Sequence, residues 1–325
     1  MTRGKECLAD NSSKKIVVCQ WCYGENKVTD LRRTCFFCAK EIEGRNIPEH
    51  IIPDALLGKM GIKEATLTGN RVTQYSRIKV PAHSLCNNGF GSKYEGVVLT
   101  LLEDPEAVYQ SICSEELSLP MMYGPDESIA SIITTWLSKI YYGMFYDDYL
   151  KTDNENWKDT CSYIINSPNF NLVRKSYKNG HGFQLPSSLF AFQTKNDKFD
   201  LVTMVDPSTI LLKIGTLTLI LCVCDGYLTK NYLNSEPLKI LRSWVAEQDQ
   251  INSDFPSHKL ALAEIVALRS CIPKTPKFSY SDHQIINMSL STLATNPEEF
   301  YKIDTDQLSD IRKKLLRDFG IRFPN

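Results

Sequence analysis

The sequence predicts an α+β protein in two parts. A small cysteine-rich front domain of short strands and turns precedes a larger α+β domain with an antiparallel sheet and several helices. Three observations carry this. Six of the eleven cysteines (Cys7, Cys19, Cys22, Cys35, Cys38 and Cys86) fall within the first 86 residues. Apolar residues recur at helical spacing over 128–150. Four short apolar runs then follow between residues 188 and 224.

At 325 residues, with 42% hydrophobic, 23% charged and 10% aromatic side chains, the chain can bury a sizeable core. That composition excludes disordered, collagen-like and fibrous classes. The longest apolar run, 217–224, falls far short of the ~20 residues that span a bilayer. The opening MTRGKECLADNSSKK lacks the apolar stretch of a secretion signal, so a cytoplasmic protein is expected. Residues 1–98 hold 15 Lys/Arg against 10 Asp/Glu, and the remainder 22 against 28. A basic front on an acidic back suggests that a polyanion meets the front.

The polar residues 1–15 are expected to form a flexible N-terminus. The front domain with its connector covers 16–120. Its strand-like pieces (KIVVCQWCYG, TCFFCAKEI) have a thin core and would lean on metal for stability. Residues 97–120 read as a helix and a connector ending at Pro120, where the boundary is placed. The second domain covers 121–325.

That domain opens with a core-facing helix over 128–150, carrying Ile129, Ile132, Ile133, Trp136, Ile140, Tyr141, Met144 and Phe145, with Asp126 or Ser128 as its cap. Trp136, Tyr141, Tyr142, Phe145 and Tyr146 are expected in the core, not on a base-stacking platform. SLFAF (188–192), DLVTMV (200–205), TILLKI (209–214) and LTLILCVC (217–224) read as an antiparallel meander. LTLILCVC is apolar on both faces and should be central. Helices are expected over 258–272 and 282–294. A last one, capped by Asp304 or Thr305, should carry Leu308, Ile311, Leu315 and Phe319 and stop at Gly320.

Without a secretion signal, clustered CxxC pairs read as metal ligands, not disulfides. Cys113, Cys161, Cys222, Cys224 and Cys271 read as buried free thiols. Cys35-x₂-Cys38 and His83-x₂-Cys86 together offer a closed Cys₃His site for a structural Zn²⁺. An alternative ribbon, Cys19-x₂-Cys22-x₁₂-Cys35-x₂-Cys38, would leave His83 and Cys86 unliganded. If the first holds, Cys19 and Cys22 form a candidate second zinc pair. A staple of the first kind would bring His50, on an intervening strand, opposite Asn87 at a helix start. A neutral imidazole can take a proton from water. Glu49 and Asn87 are oxygen donors of the kind Mg²⁺ or Mn²⁺ prefers. His181, His258 and His283 have no such company and read as structural or surface residues. Arg32, Arg33, Arg45, Lys59, Lys79 and Lys93 could line a phosphate track, with Lys93 nearest the helix start.

The order CFFCAKEI…PEHIIPDALLG…HSLCNNGFGSKYE, over about residues 30–98, resembles the HNH endonuclease family with its treble-clef-like ββα-metal fold. The likeness is greatest to the branch in which a zinc knuckle precedes an E-H-I-I-P strand and a C-N-N-x-x-G-S-K helix. The resemblance implies that His50 is the general base and that Glu49 and Asn87 hold a catalytic Mg²⁺ or Mn²⁺. It also implies that Cys35, Cys38, His83 and Cys86 form the zinc knuckles, with His83 where the commoner pattern has cysteine. Asn88 and Lys93 would then contact nucleic acid, with DNA the expected form. The sequence departs from the family at the middle asparagine, which has no counterpart in SRIKVPAHSLC; Asn70 lies further upstream. Free-standing nucleases with a large partner domain resemble bacterial restriction or anti-phage defence proteins. The second domain would then recognise or regulate, meeting a protein partner or a small-molecule signal. The competing class is a non-catalytic zinc module that binds nucleic acid or protein.

Overall fold

The computed structural model describes residues 30–44, 46–67, 69–114, 128–179, 187–195, 198–223, 233, 235–271 and 304–323. Several expectations lie outside these residues: the flexible terminus, the KIVVCQWCYG strand with Cys19 and Cys22, Arg45, the connector at Pro120, His181, Cys224, His283 and the helix over 282–294.

The front half is built on one short hairpin. Strand β1 (Ile47–His50) pairs antiparallel with β4 (Lys79–Ala82), in a register from Ile47 opposite Ala82 to His50 opposite Lys79. Pro48 faces Pro81 across it. A proline cannot donate to a ladder, so a pair of them suits a two-stranded sheet whose outer edges are not extended by further strands. Between the strands lie helix α1 (Asp54–Lys59) and a small hairpin of β2 (Thr66–Leu67) and β3 (Thr73–Gln74). After β4, helix α2 (Ser84–Phe90) continues through a π-helical turn, Gly91–Glu95, into α3 (Gly96–Leu101). The order strand, strand, helix is thus present.

The expected helix after residue 97 proves to be two, α3 and α4 (Pro105–Ser114). The residue before a proline resists helical geometry, and proline suits the first position of the next helix. Asp104 caps that helix, its Oδ1 accepting from the Ala107 N–H at 3.0 Å.

Helix α5 (Ile129–Lys151) starts at Ser128, whose Oγ accepts from the Ser131 N–H at 3.0 Å. Every residue from Ile132 to Asp147 is buried, so this helix is enclosed on all sides and not only along one stripe. All five aromatics named on it are core residues. Helices α6 (Glu155–Ile165) and α7 (Pro168–Asn179) follow.

The sheet contains β5 (Ser188–Gln193), β6 (Asp200–Met204), β7 (Thr209–Ile214) and β8 (Leu217–Cys222), in the order β5-β8-β7-β6. The expected simple meander is corrected at one point: β6–β7–β8 is a meander, but β5 pairs with β8 and not with β6. The reason lies in burial. β5 and β8 are buried on both faces, whereas β6 is largely half-exposed, so docking β5 on β8 leaves the more polar strand at an edge. Leu189, Ala191, Leu212, Leu219 and Leu221 face an apolar cluster that runs from Cys35 to Val223 and includes α5. Phe190, Phe192, Leu211 and Ile220 face a second cluster under α8 (Ser235–Ile251), α9 (Ser257–Cys271) and α10 (Thr305–Asp318). The larger cluster is continuous across position 120. Helix α8 is an element the sequence analysis did not name, although Leu238, Leu241 and Val245 share helical spacing.

Helix α10 begins at Asp304, whose Oδ1 accepts from Asp306 and Gln307 N–H groups. It ends in a Schellman arrangement: Gly320, at φ +68°, donates to Arg317 O, and Ile321 donates to Leu316 O. Cys161, Cys222 and Cys271 are buried, whereas Cys113, expected to be buried, is only half-buried. Among the described residues no helix is long and apolar enough to cross a membrane.

Gly143 is where α5 meets the segment after His50. A Cβ there would lie 2.7 and 2.9 Å from Ile51 Cγ1 and Cγ2, and closer still to Cδ1. Alanine is the better helix former by about 1 kcal/mol, yet overpacking a filled site costs about 1–3 kcal/mol. Gly143→Ala is therefore expected to lower stability in chemical denaturation. Combining it with Ile51→Ala should cost less than the sum of the two single changes.

Candidate metal centre and the His50 strand

The chain between Cys35 and Cys38 folds as a tight knuckle. The Cys35 N–H donates to Lys40 O and the Ala39 N–H to Cys35 O, both at 2.9 Å. Ala39 takes φ +58° to close the turn. The two residues between the thiols are wedges: Phe36 packs on Tyr146, Phe170 and Tyr177, and Phe37 on Phe90 and Tyr177. Arg174 Nε donates to Phe36 O at 2.8 Å, and the Tyr146 hydroxyl donates to Leu31 O and Thr34 O. The Phe36 N–H donates to Pro81 O, which sets the knuckle beside the end of β4.

There β4 delivers His83, and the first turn of α2 delivers Cys86. The ligand atoms of Cys35, Cys38, His83 and Cys86 all lie within 4.8 Å of one another. Cys38 Sγ is 3.3 Å and Cys86 Sγ 4.0 Å from His83 Nδ1. A tetrahedron with Zn–S bonds of ~2.3 Å has edges of about 3.8 Å, so the four atoms are spaced to hold a zinc-sized ion. His83 Nε2 lies 3.0 Å from Glu41 O. That carbonyl can only accept, so the proton sits on Nε2 and the Nδ1 lone pair faces the thiols, as zinc ligation requires. Burial raises the Cys38 thiol, but the Lys40 N–H and the neighbouring Cys35, His83 and Cys86 outweigh it and hold the thiol below its ordinary value. Burial first, then the charges of Cys35 and Cys38, push Cys86 up to about 12. Crowded thiols share protons until a cation displaces them, and a bound metal inverts that balance. The donor set fits the Cys₃His reading.

The adjoining strand carries Glu49 and His50. Glu49 is buried, and its Oε1 accepts from Lys139 Nζ at 2.8 Å. The ammonium, fully enclosed on α5, also donates to His50 O at 2.8 Å and to Glu95 Oε1. Removing one member of such a buried set leaves an unpaired charge, at a cost of roughly 3–5 kcal/mol. Burial, offset in part by Lys139 and reinforced by Glu49, raises the Glu95 carboxyl. Sequence reasoning missed Lys139 and Glu95. The available signal was a lysine inside an otherwise apolar helical face.

His50 is half-buried. Burial lowers its pKa from 6.5, Lys79 across the ladder lowers it further, Asp54 and Glu49 oppose this, and Lys139 adds to the lowering. The net shift is downward, so the imidazole is neutral at neutral pH. Asn87 is half-buried on α2, its backbone N–H donating to His83 O at 2.9 Å. No hydrogen bond among the described residues joins its side chain to Glu49 or His50. Asn88 and Lys93 are exposed on the α2 helix and its π-turn, with Lys93 Nζ 5.4 Å from the Tyr94 ring centre. Arg32 and Lys59 are exposed, and Arg33 donates to Ile42 O. His258 is buried, its Nε2 2.9 Å from Asp200 Oδ2.

Comparison of the chain with protein-family models, with curated proteins and with solved structures gave no match.

Elemental analysis of the purified chain tests the centre. Cys86→Ser and His83→Ala should each lose one equivalent of zinc, whereas Cys19→Ser and Cys22→Ser should leave that equivalent in place. The reverse pattern would favour the Cys₄ ribbon. Stripping this zinc with chelator should lower Tm by about 4–5 °C, the shift that a loss of about 3 kcal/mol produces in a chain of 325 residues.

Proposed function

We propose that the chain is a phosphodiester hydrolase of the HNH kind, cutting nucleic acid with His50 as general base. The observation that carries this reading is the Cys₃His cluster, which joins the knuckle to a strand–strand–helix unit bearing His50 on its first strand. That is the arrangement the CFFC…EHIIP…HSLCNN order implies. In this reading His50 takes a proton from water, the resulting oxygen attacks phosphorus, and the 3′ oxygen departs. The neutral imidazole set by burial and by Lys79 is the form that task requires. A divalent cation would supply stabilisation of the charge on phosphorus, and Glu49 is the carboxylate expected to hold it. Because Lys139 already takes Glu49 Oε1, such an ion would have to share that side chain.

The same contact favours a second reading, a zinc-stapled nucleic-acid-binding module without catalysis. There Lys139 meets the Glu49 charge and His50 merely packs. Supercoiled plasmid incubated with Mg²⁺ or Mn²⁺ separates the two. Cleavage by the parent and not by His50→Ala supports the hydrolase, while binding by both with cleavage by neither supports the module.

A base works only unprotonated, so kcat/KM should rise with pH through the His50 pKa, with its acid limb below pH 6.5. Lys79→Gln removes a charge that disfavours imidazolium. Its acid limb should therefore move up toward 6.5, with activity at pH 6 falling more than activity at pH 8.

A further inference from the structure

Beside the His50 end of the hairpin, a groove of about 570 Å³ opens between β2, β3, the turn Tyr75–Arg77 and the end of α5. Arg71, Arg77 and Lys151 line it, together with Val72, Thr73 and Gln74; among the described residues no carboxylate belongs to this lining, and Glu64 accepts from Gln74 Nε2 at its edge. Two of the cations, Arg71 and Lys151, are held from beneath. Arg71 Nε donates to Asp148 Oδ1 at 2.9 Å and its Nη2 to Asp147 Oδ2. Lys151 Nζ lies 2.5 Å from Asp147 Oδ1 and donates to Arg77 O at 2.9 Å. Asp147 itself is fully buried, so its charge sits under the floor while the cationic groups face the groove. Arg71 spends two of its five N–H donors on these partners. Arg77 is exposed, and among the described residues no carboxylate pairs with it. The lining thus holds three cations, with Asp147 and Asp148 beneath two of them and Glu64 bonded to Gln74 at the edge.

The groove also leads to the candidate base. Arg77 precedes by two residues Lys79, the ladder partner of His50. At ~3.3 Å per residue, the two basic backbone positions lie within about 7 Å, and directly opposed side chains share one face of a ladder. A row of cations running toward an imidazole suits a chain of phosphates better than a single anion.

We propose that this groove tracks the sugar–phosphate backbone of a nucleic-acid strand, with Arg71 and Arg77 donating to its phosphates and Lys151 adding charge. The proposal rests on the nucleic-acid reading given above, but it concerns binding and is tested apart from cleavage. The full-length His50→Ala chain is titrated with fluorescently labelled duplex DNA, single-stranded DNA and RNA across a range of salt. It is compared with the same chain carrying Arg77→Gln, Val72→Glu or, on the distant α10, Lys313→Gln. Arg77→Gln should weaken binding roughly threefold to tenfold and flatten the slope of log affinity against log salt by about one. Val72→Glu, placing an anion in the groove at a residue 70% exposed, should weaken binding at least as much, and Lys313→Gln should change neither quantity. Matched melting curves confirm intact folding. Unchanged affinity and slope in both groove variants, or no binding of any of the three probes by the His50→Ala chain, would overturn the proposal. If plasmid cleavage is absent while Arg77-dependent binding persists, the hydrolase reading fails and the groove stands.

Discussion

Helix α5 is buried on every side yet carries two charges, Lys139 and Asp147, fully removed from solvent. A buried ion is tolerated only where opposite charge and hydrogen bonds meet it. Both sets of partners lie largely in the front half. Lys139 meets Glu49, Glu95 and His50 O; Asp147 meets Arg71 and the Lys79 N–H at 3.0 Å, as well as Lys151 on its own helix. These contacts grip both strands of the β1–β4 hairpin at one end, where His50 faces Lys79. Eight residues apart on one helix, the two charges fix that end in place against the core.

The opposite end of the hairpin is held differently. There Ala82 leads into His83, and the Cys₃His cluster joins the knuckle to the start of α2. The knuckle is in turn wedged by Phe36 and Phe37 into aromatic rings supplied by α2, α5 and α7. A metal ion would therefore add a covalent-strength clamp to an arrangement already set by packing. The two anchors differ in what they respond to: the cluster to thiol protonation and metal supply, the Lys139 set to the integrity of α5. The hairpin carrying the candidate base thus depends on residues 68 to 90 positions further along the chain.

This dependence also sets the electrostatics around His50. The imidazole lies among Lys79, Lys139, Asp54 and Glu49, so its proton affinity reflects one ladder partner, one helix buried beside it and two local acids. A basic groove next to that histidine continues the same theme, since its Arg71 and Lys151 are oriented by Asp147 and Asp148 from below.

Much of this was legible in the sequence because it is local. Cysteine spacing marked the ligands Cys35, Cys38, His83 and Cys86. Apolar periodicity marked α5, Asp304 and Gly320 bounded the last helix, and the two-faced apolarity of LTLILCVC placed β8 inside the sheet. What was not legible depended on partners distant in sequence. Nothing near Glu49 announces that a lysine ninety residues later will take its carboxylate, and nothing in the strand runs says that β5 will dock on β8. Spacing likewise lists the available donors, while tertiary packing brings Cys35, Cys38, His83 and Cys86 within 4.8 Å of one another. Local patterns follow from backbone geometry and fix which elements form, whereas the pairing of buried charges and sheet edges is a competition among distant segments, and only the folded chain resolves it.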